Sequence, residues 1–172
     1  KEDIQLISDY TNNQSLIIKI GSNGDQINLN KFFGAVDSTY KLGSLKFADG
    51  SIIDLLNGIS LQGANIAGET LQGTMHNDFL TGNIGNDTIY GSDGDDTLTG
   101  GKGNDSIDGS FGNDIFIFNK GDGKDIYDDF SGTDQIVFGA GISKEDILME
   151  AAGANLVFKF VNSVIVGLNR LF

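Results

Sequence analysis

The chain has 172 residues, enough for one domain or one compact multi-part segment. Its 24 acidic and 11 basic side chains leave a formal charge of −13, which argues against nucleic acid and anionic membrane surfaces as partners and favours multivalent cations. Cysteine is absent, so disulfides and thiolate metal sites are excluded.

The N-terminus, "KEDIQLISDY", is not a signal peptide, and no apolar run approaches the length of a membrane span. "KEDI" at 1–4 returns at 144–147. The first copy is followed by "SLIIKI" (15–20) and "INLNKFF" (27–33), the second by "NLVFKF" (155–160) and "VGLNRLF" (166–172). Order and type both match, so the chain reads as a piece of a parent with tandem blocks about 140 residues apart. Neighbouring blocks of that parent are then expected partners, and the piece itself reads as a monomer.

Residues 15–30, "SLIIKIGSNGDQINLN", alternate apolar and polar on both sides of a glycine-containing turn, which predicts a β-hairpin. Residues 40–55 repeat the pattern around "ADGS". Residues 1–56 thus form an N-terminal flank, the tail of a preceding block. Residues 57–72 are a transition holding one degenerate repeat, and a strict repeat occupies 73–117. Beyond it, the acids Asp122, Asp125, Asp128, Asp129 and Asp134 are irregularly spaced, so the repeat is expected to end. Asp122, Asp128, Asp129 and Asp134 then read as solvated or turn residues. Residues 118–172 are a C-terminal flank, closing with a short helix at "SKEDILME" and a hairpin at "NLVFKFVNSVIVGL".

The strict repeat is nine residues long and begins on glycine: "GTMHNDFLT", "GNIGNDTIY", "GSDGDDTLT", "GGKGNDSID" and "GSFGNDIFI". Position 4 is glycine except at His76. Position 6 is Asp78, Asp87, Asp96, Asp105 and Asp114, and position 8 is Leu80, Ile89, Leu98, Ile107 and Phe116. A weak copy at 64–72 carries Glu69 and Leu71 at those two places. Each copy divides into a six-residue turn and a three-residue strand whose central side chain points inward. Glycines at positions 1 and 4 permit positive φ and close packing. Phe79, Ile115 and Ile117 fall at outward positions and are expected to be covered by the flanks.

One inward side chain per nine residues cannot offset the entropy of ordering so much glycine. Residues 73–117 also set eight acids against the single base Lys102. Without a ligand the segment is expected to be disordered. Calcium takes six to eight oxygens, carboxylates and backbone carbonyls included, in flexible geometry. Magnesium wants a tight octahedron, and zinc wants His or Cys where only His76 exists.

The nonapeptide resembles the G-G-x-G-x-D-x-U-x repeat of RTX proteins, the haemolysin-type calcium-binding repeats. The tail after 117 is similar to the segment that follows such arrays. The resemblance implies an all-β fold: a parallel β-roll flanked by antiparallel hairpin caps. One coil takes two repeats, so Asp78, Asp96 and Asp114 line one edge while Asp87 and Asp105 line the other. It implies calcium held between stacked turns by carbonyls of positions 2 and 4 plus Asp from one turn, and carbonyls of positions 1 and 3 plus Asp from the turn two repeats on. One ion would lie among Thr74, His76, Asp78, Gly91, Asp93 and Asp96, with His76 giving its carbonyl. A second would lie among Asn83, Gly85, Asp87, Gly100, Lys102 and Asp105, and a third among Ser92, Gly94, Asp96, Gly109, Phe111 and Asp114. A fourth would use Gly101, Gly103 and Asp105 with Phe118, Lys120 and Asp125, although Gly123 stands at position 6 there. A fifth would need Glu69 in place of Asp. Three to five ions are expected.

Catalytic motifs are absent: there is no G-x-S-x-G, H-E-x-x-H or Walker loop, and "DGDDTLTGGKGND" puts Leu98 where an EF-hand needs glycine. The expectation is a non-enzymatic module of a secreted bacterial protein. It would leave the cell unfolded by type I secretion and fold in extracellular calcium. The alternative is an adhesin-type module whose flanks bind a cell-surface or glycan ligand. An ice-binding array is disfavoured, because positions 2 and 3 read Thr-Met, Asn-Ile, Ser-Asp, Gly-Lys and Ser-Phe with no regularity.

Overall fold

The computed structural model describes residues 4–9, 15–20, 25–29, 44–55, 57–63, 68–153, 155–160 and 165–169. The expected features at 30–33, 40–43, 64–67, 161–164 and 170–172 lie outside the described residues. The alternating flank folds as expected. Strands β1 (Ile4–Asp9), β2 (Ser15–Ile20) and β3 (Asp25–Leu29) form an antiparallel meander. β4 (Ser44–Lys46) and β5 (Ile52–Asp54) form a separate hairpin, closed by a turn in which Ser51 donates to Asp49. β1 runs beside the first two strands of the roll, β6 (Ser60–Gln62) and β7 (Thr70–Gln72).

From β6 onward the chain winds as a parallel β-roll. β8 (Phe79–Ile84), β10 (Thr97–Lys102), β12 (Ile115–Phe118) and β14 (Gln135–Phe138) stack with β6 in one sheet. β9 (Thr88–Asp93), β11 (Ser106–Phe111) and β13 (Ile126–Asp128) stack with β7 in the other. Alternation along each short strand sends the position-8 side chain inward. Leu61, Leu80, Leu98 and Phe116 line the core from one sheet, and Leu71, Ile89, Ile107 and Tyr127 from the other, all buried. Their register is one-to-one, as in Leu98 opposite both Leu80 and Phe116. Each such burial contributes roughly 1.5–3 kcal/mol.

The roll is longer than the strict repeat. It begins at β6, inside the segment expected to be transitional, and it continues past 117. Ser106 pairs with Ile126 and Ile107 with Tyr127, an offset of 20 residues instead of 18. Ile115 likewise pairs with Gln135. A two-residue insertion, Phe118-Asn119, precedes "KGDGKDIYD" (120–128) and "DFSGTDQIV" (129–137), which restore glycine, aspartate and an apolar residue at positions 4, 6 and 8. The insertion is absorbed in an edge turn. Phe118 is buried, and Asn119 donates its N–H to the Asp122 carboxylate.

Strand pairing also runs into the turns, because positions 2 and 3 pair with their equivalents one coil away: Gly101 with Asn83 and Lys102 with Ile84. The expected six-residue turn is therefore half strand. Left-handed backbone falls at position 4, as at Gly103 (φ +143°), and at position 2, where Asn83, Ser92 and Ser110 accept it without being glycine. Gly100, at position 1, has no such φ. It is required for space, because a Cβ there would run into the Asp105 carboxylate.

The C-terminal segment closes the roll. A single 3₁₀ turn, Lys144–Asp146, stands where a short helix was expected; Ser143 caps it by donating to Asp146, and the chain then turns straight into strand. β15 (Ile147–Ala152), β16 (Asn155–Phe160) and β17 (Ile165–Asn169) form an antiparallel meander, and β17 docks in parallel on β13. Phe138, Ile142, Leu156, Phe158 and Phe160 pack against the core at this end. Ile115 and Ile117 are half-buried, whereas Phe79 is 60 % exposed, so the expected covering of Phe79 does not occur.

Candidate metal centres

Each position-6 aspartate sits just before a strand and is tied to neighbouring coils through its backbone and one carboxylate oxygen. The Asp78 carbonyl accepts from Thr97 N–H, and the Asp96 carbonyl from Ile115 N–H, both at 2.8 Å. The carboxylate Oδ1 reaches back to the previous coil on the same edge. Asp96 Oδ1 accepts from Asp78 N–H at 2.8 Å, and Asp114 Oδ1 from Asp96 N–H at 2.7 Å. On the other edge Asp105 Oδ1 accepts from Asp87 N–H at 2.8 Å. The two expected edges are therefore present. Both continue through the inserted coils, with Asp125 accepting from Asp105 at 3.1 Å and Asp134 from Asp114 at 3.0 Å. At the start, Ile59 donates to Asp78 and Glu69 to Asp87.

The second carboxylate oxygen is left over. Oδ2 of Asp87, Asp96, Asp105, Asp114 and Asp129 is buried without a hydrogen-bond partner. A buried, unpaired carboxylate oxygen is costly, and its presence in a row calls for a bound cation. The oxygens of Asp87, Asp96, Asp105 and Asp114 each lie over the position-1 glycine of their own turn, where a side chain would displace them, and that of Asp129 lies beside Gly109 of the coil before. Next to Gly82 lies the Gly100 carbonyl of the next coil, and next to Gly91 that of Gly109. The carbonyls of Asn83 and Gly85 face Gly101 and Gly103 across the same gap, and the His76 carbonyl faces Gly94. An oxygen-only set with excess negative charge fits calcium.

Burial is the first cause of the carboxylates' altered acidity. It pushes Asp96 up to about 8, with like charge from Asp78, Asp114 and Asp95 adding to it. It pushes Asp125 up to about 7, and raises Asp78, Asp87 and Asp105. It also raises the Asp114 and Asp129 pair, which face one another. The Tyr127 phenol, held neutral by burial, donates to Asp125 Oδ2 at 3.4 Å.

The expected residues are placed as follows. Asn83, Gly85, Asp87, Gly100, Lys102 and Asp105 surround one inter-turn gap, and Ser92, Gly94, Asp96, Gly109, Phe111 and Asp114 surround its equivalent on the other edge. The Lys102 and Phe111 carbonyls already accept from Gly85 and Gly94 N–H, leaving each a second lone pair. Thr74, His76, Asp78, Gly91, Asp93 and Asp96 share the first gap, with a difference. Thr74 donates to both Asp78 carboxylate oxygens through its hydroxyl, and His76 N–H donates to Thr74 Oγ1 instead of to the next coil.

The fourth set changes. Gly101, Gly103 and Asp105 face the turn at 120–125, in which Gly123 pairs with Gly103 at position 4 and Asp125 takes position 6. Asp122, not Lys120, is at position 3, and its carbonyl accepts from Gly103 N–H. Position 1 falls on Lys120 and not on Phe118, whose side chain is in the core and whose carbonyl accepts from Gly139 N–H. Around the weak copy, the place next to the Glu69 carboxylate belongs to Gly63 and not to Ala64, so that copy is one residue longer than the others.

Asp122 and Asp129 are buried, against the expectation of solvated residues. Asp129 joins Asp114 and Asp134 in a cluster whose carboxylate oxygens lie within 4.8 Å of one another. The signal was "DFSGTDQIV", which becomes a repeat once a two-residue insertion is allowed.

Comparison with known proteins agrees with this geometry. Residues 72–107 and 90–124 match the model of the RTX calcium-binding nonapeptide repeat (4 copies). Residues 16–55 match the haemolysin-type calcium binding protein related domain. Over residues 72–124 the roll is an RTX calcium-binding repeat array, and residues 16–55 of the N-terminal flank match a domain related to haemolysin-type calcium-binding proteins. No curated protein matches the chain. Among solved structures it resembles the extracellular lipase LipA from Serratia marcescens, with a TM-score of 0.56 at 21% identity over 99% of this chain. That likeness shows the fold alone, and the chain spans 29% of the lipase's length.

Proposed function

We propose that the chain is a calcium-dependent folding module of a larger secreted bacterial protein, disordered inside the cell and ordered by extracellular calcium after type I secretion. One observation carries this reading: a file of buried Oδ2 atoms on Asp87, Asp96, Asp105 and Asp114 with no partner of their own. RTX repeats are typical of secreted proteins. Bound calcium supplies divalent charge with six to eight oxygen partners. Asp78, Asp87, Asp96, Asp105, Asp114 and Asp125 provide the carboxylates. The turn carbonyls, from Thr74, His76, Gly91 and Asp93 in the first gap to Gly101 and Gly103 in the fourth, complete the sets. The chain's own work is positional, since the Oδ1 ladder fixes each carboxylate and the position-1 glycines keep space beside Oδ2.

The same residues oppose folding when no cation is present, because several like charges are then buried in file. Cytosolic calcium is too low to relieve this, whereas extracellular modules work at about 10⁻⁴–10⁻³ M. Titration with calcium, followed by far-UV circular dichroism with magnesium as control, tests this reading. A cooperative coil-to-β transition in about that range is expected. A chain already fully ordered in chelator would overturn the reading.

A further inference from the structure

The last inter-turn gap differs from the others. Where Gly91 and Gly100 hold position 1 in earlier turns, the turn at 129–134 has Asp129. Beside Gly82 and Gly91 the oxygen arriving from the next coil is a backbone carbonyl, whereas beside Gly109 it is Asp129 Oδ2. Asp114 Oδ2 occupies the same spot. Asp134 adds a third carboxylate, with its Oδ1 held by Asp114 N–H at 3.0 Å. All three offer an oxygen within 4.8 Å of one another. Asp129 is 8 % exposed and Asp114 1 %, and the Oδ2 of each is buried without a partner. Two buried carboxylate oxygens therefore face one another in one small space with no partner outside the pair, and no base forms an ion pair with them among the described residues.

We propose that Asp114, Asp129 and Asp134 form a three-carboxylate cation site that binds a hard divalent ion more tightly than the other gaps of the roll. Affinity at oxygen-ligand sites follows ligand charge, and this gap has a carboxylate where the gaps beside Gly82 and Gly91 have a carbonyl. The site prefers calcium, and a trivalent lanthanide still more. The proposal rests on the calcium reading above, but it concerns the ranking of the sites and not their existence.

The test is competition of the full chain against a chromogenic calcium chelator, with terbium luminescence as a second readout. The wild type is expected to hold one ion at least about ten-fold more tightly than the rest. Asp129→Gly, which restores the repeat residue, should abolish that tight class while leaving the weaker ions and the dichroism at saturating calcium unchanged. Asp129→Asn, nearly the same shape, should act likewise. Asp128→Asn, an equal charge change next door, should leave the tight ion in place. Wild-type sites of uniform affinity would overturn the proposal without any variant. So would an Asp129→Gly chain with an unaltered tight class, which would mean that the tight ion is held without Asp129. A wild type that binds no calcium would instead remove the proposed function itself.

Discussion

At the scale of single residues, the two oxygens of Asp96 have separate tasks. Oδ1 accepts from Asp78 N–H at 2.8 Å and builds the roll, while the buried Oδ2 is unpaired and left for the ion. Asp96→Asn keeps the first and removes the charge from the second. The calcium midpoint of folding should rise about ten-fold, equivalent to ~1.4 kcal/mol. Asp95 is exposed, and its Oδ1 accepts from Asn113 N–H at 2.8 Å. Asp95→Asn retains that acceptor and should shift stability by no more than about 0.5 kcal/mol. Calcium titrations of both variants by circular dichroism check the pair. In chelator Asp96→Asn should be no less ordered than wild type, because it no longer buries an unpaired charge. Equal midpoints for the two variants would mean that Oδ2 of Asp96 is not an ion contact.

At the scale of the turn and its strand, two glycines with left-handed φ separate conformational cost from crowding. Gly103 (φ +143°) lies so close to the Gly85 carbonyl that a methyl group would displace backbone, whereas Gly121 (φ +95°) has nothing within 4 Å. Gly103→Ala should cost at least about 3 kcal/mol, from backbone strain and overpacking together. Gly121→Ala should cost about 1–2 kcal/mol, in keeping with Asn83, Ser92 and Ser110 at the same position of other turns. Urea midpoints in saturating calcium measure the difference. This scale also shows how far the sequence alone was informative. From 73 to 117 the spacing is unbroken, so the strands, the inward residues and the two aspartate edges could all be read directly. The coils at 120–137 were hidden by Phe118-Asn119, because a fixed nine-residue frame then sets Gly123 in the aspartate place that Asp125 fills. The helix expected at 144 failed because Ile147 already pairs with Phe160, so strand pairing overrides a weak capping signal. The division of labour between Oδ1 and Oδ2 could not be read, since it depends on the stacking of residues 18 apart.

At the scale of the whole molecule, the roll is a quasi-one-dimensional stack, in which each coil gains stability only from its neighbours and the ends need covering. Phe118 meets Phe138 at 6.3 Å and stacks with Phe160 at 5.7 Å, and Phe138 meets Phe158 at 5.8 Å. β17 covers the edge of β13, placing Gly167 opposite Ile126. Removing residues 139–172 should therefore expose aromatic surface and an unpaired strand edge together. The shortened chain should need more calcium to fold and should self-associate more than the full chain, as read by sedimentation velocity in saturating calcium. Phe160→Ala in the full chain separates the two effects. It removes a stacked ring worth about 0.5–1.5 kcal/mol beyond its burial, yet leaves β17 on the edge of β13. Its calcium midpoint should rise without added self-association. If the shortened chain folds at the wild-type calcium concentration and does not associate, then the C-terminal meander is not what closes the roll, and the coil at 129–137 must end the stack unaided.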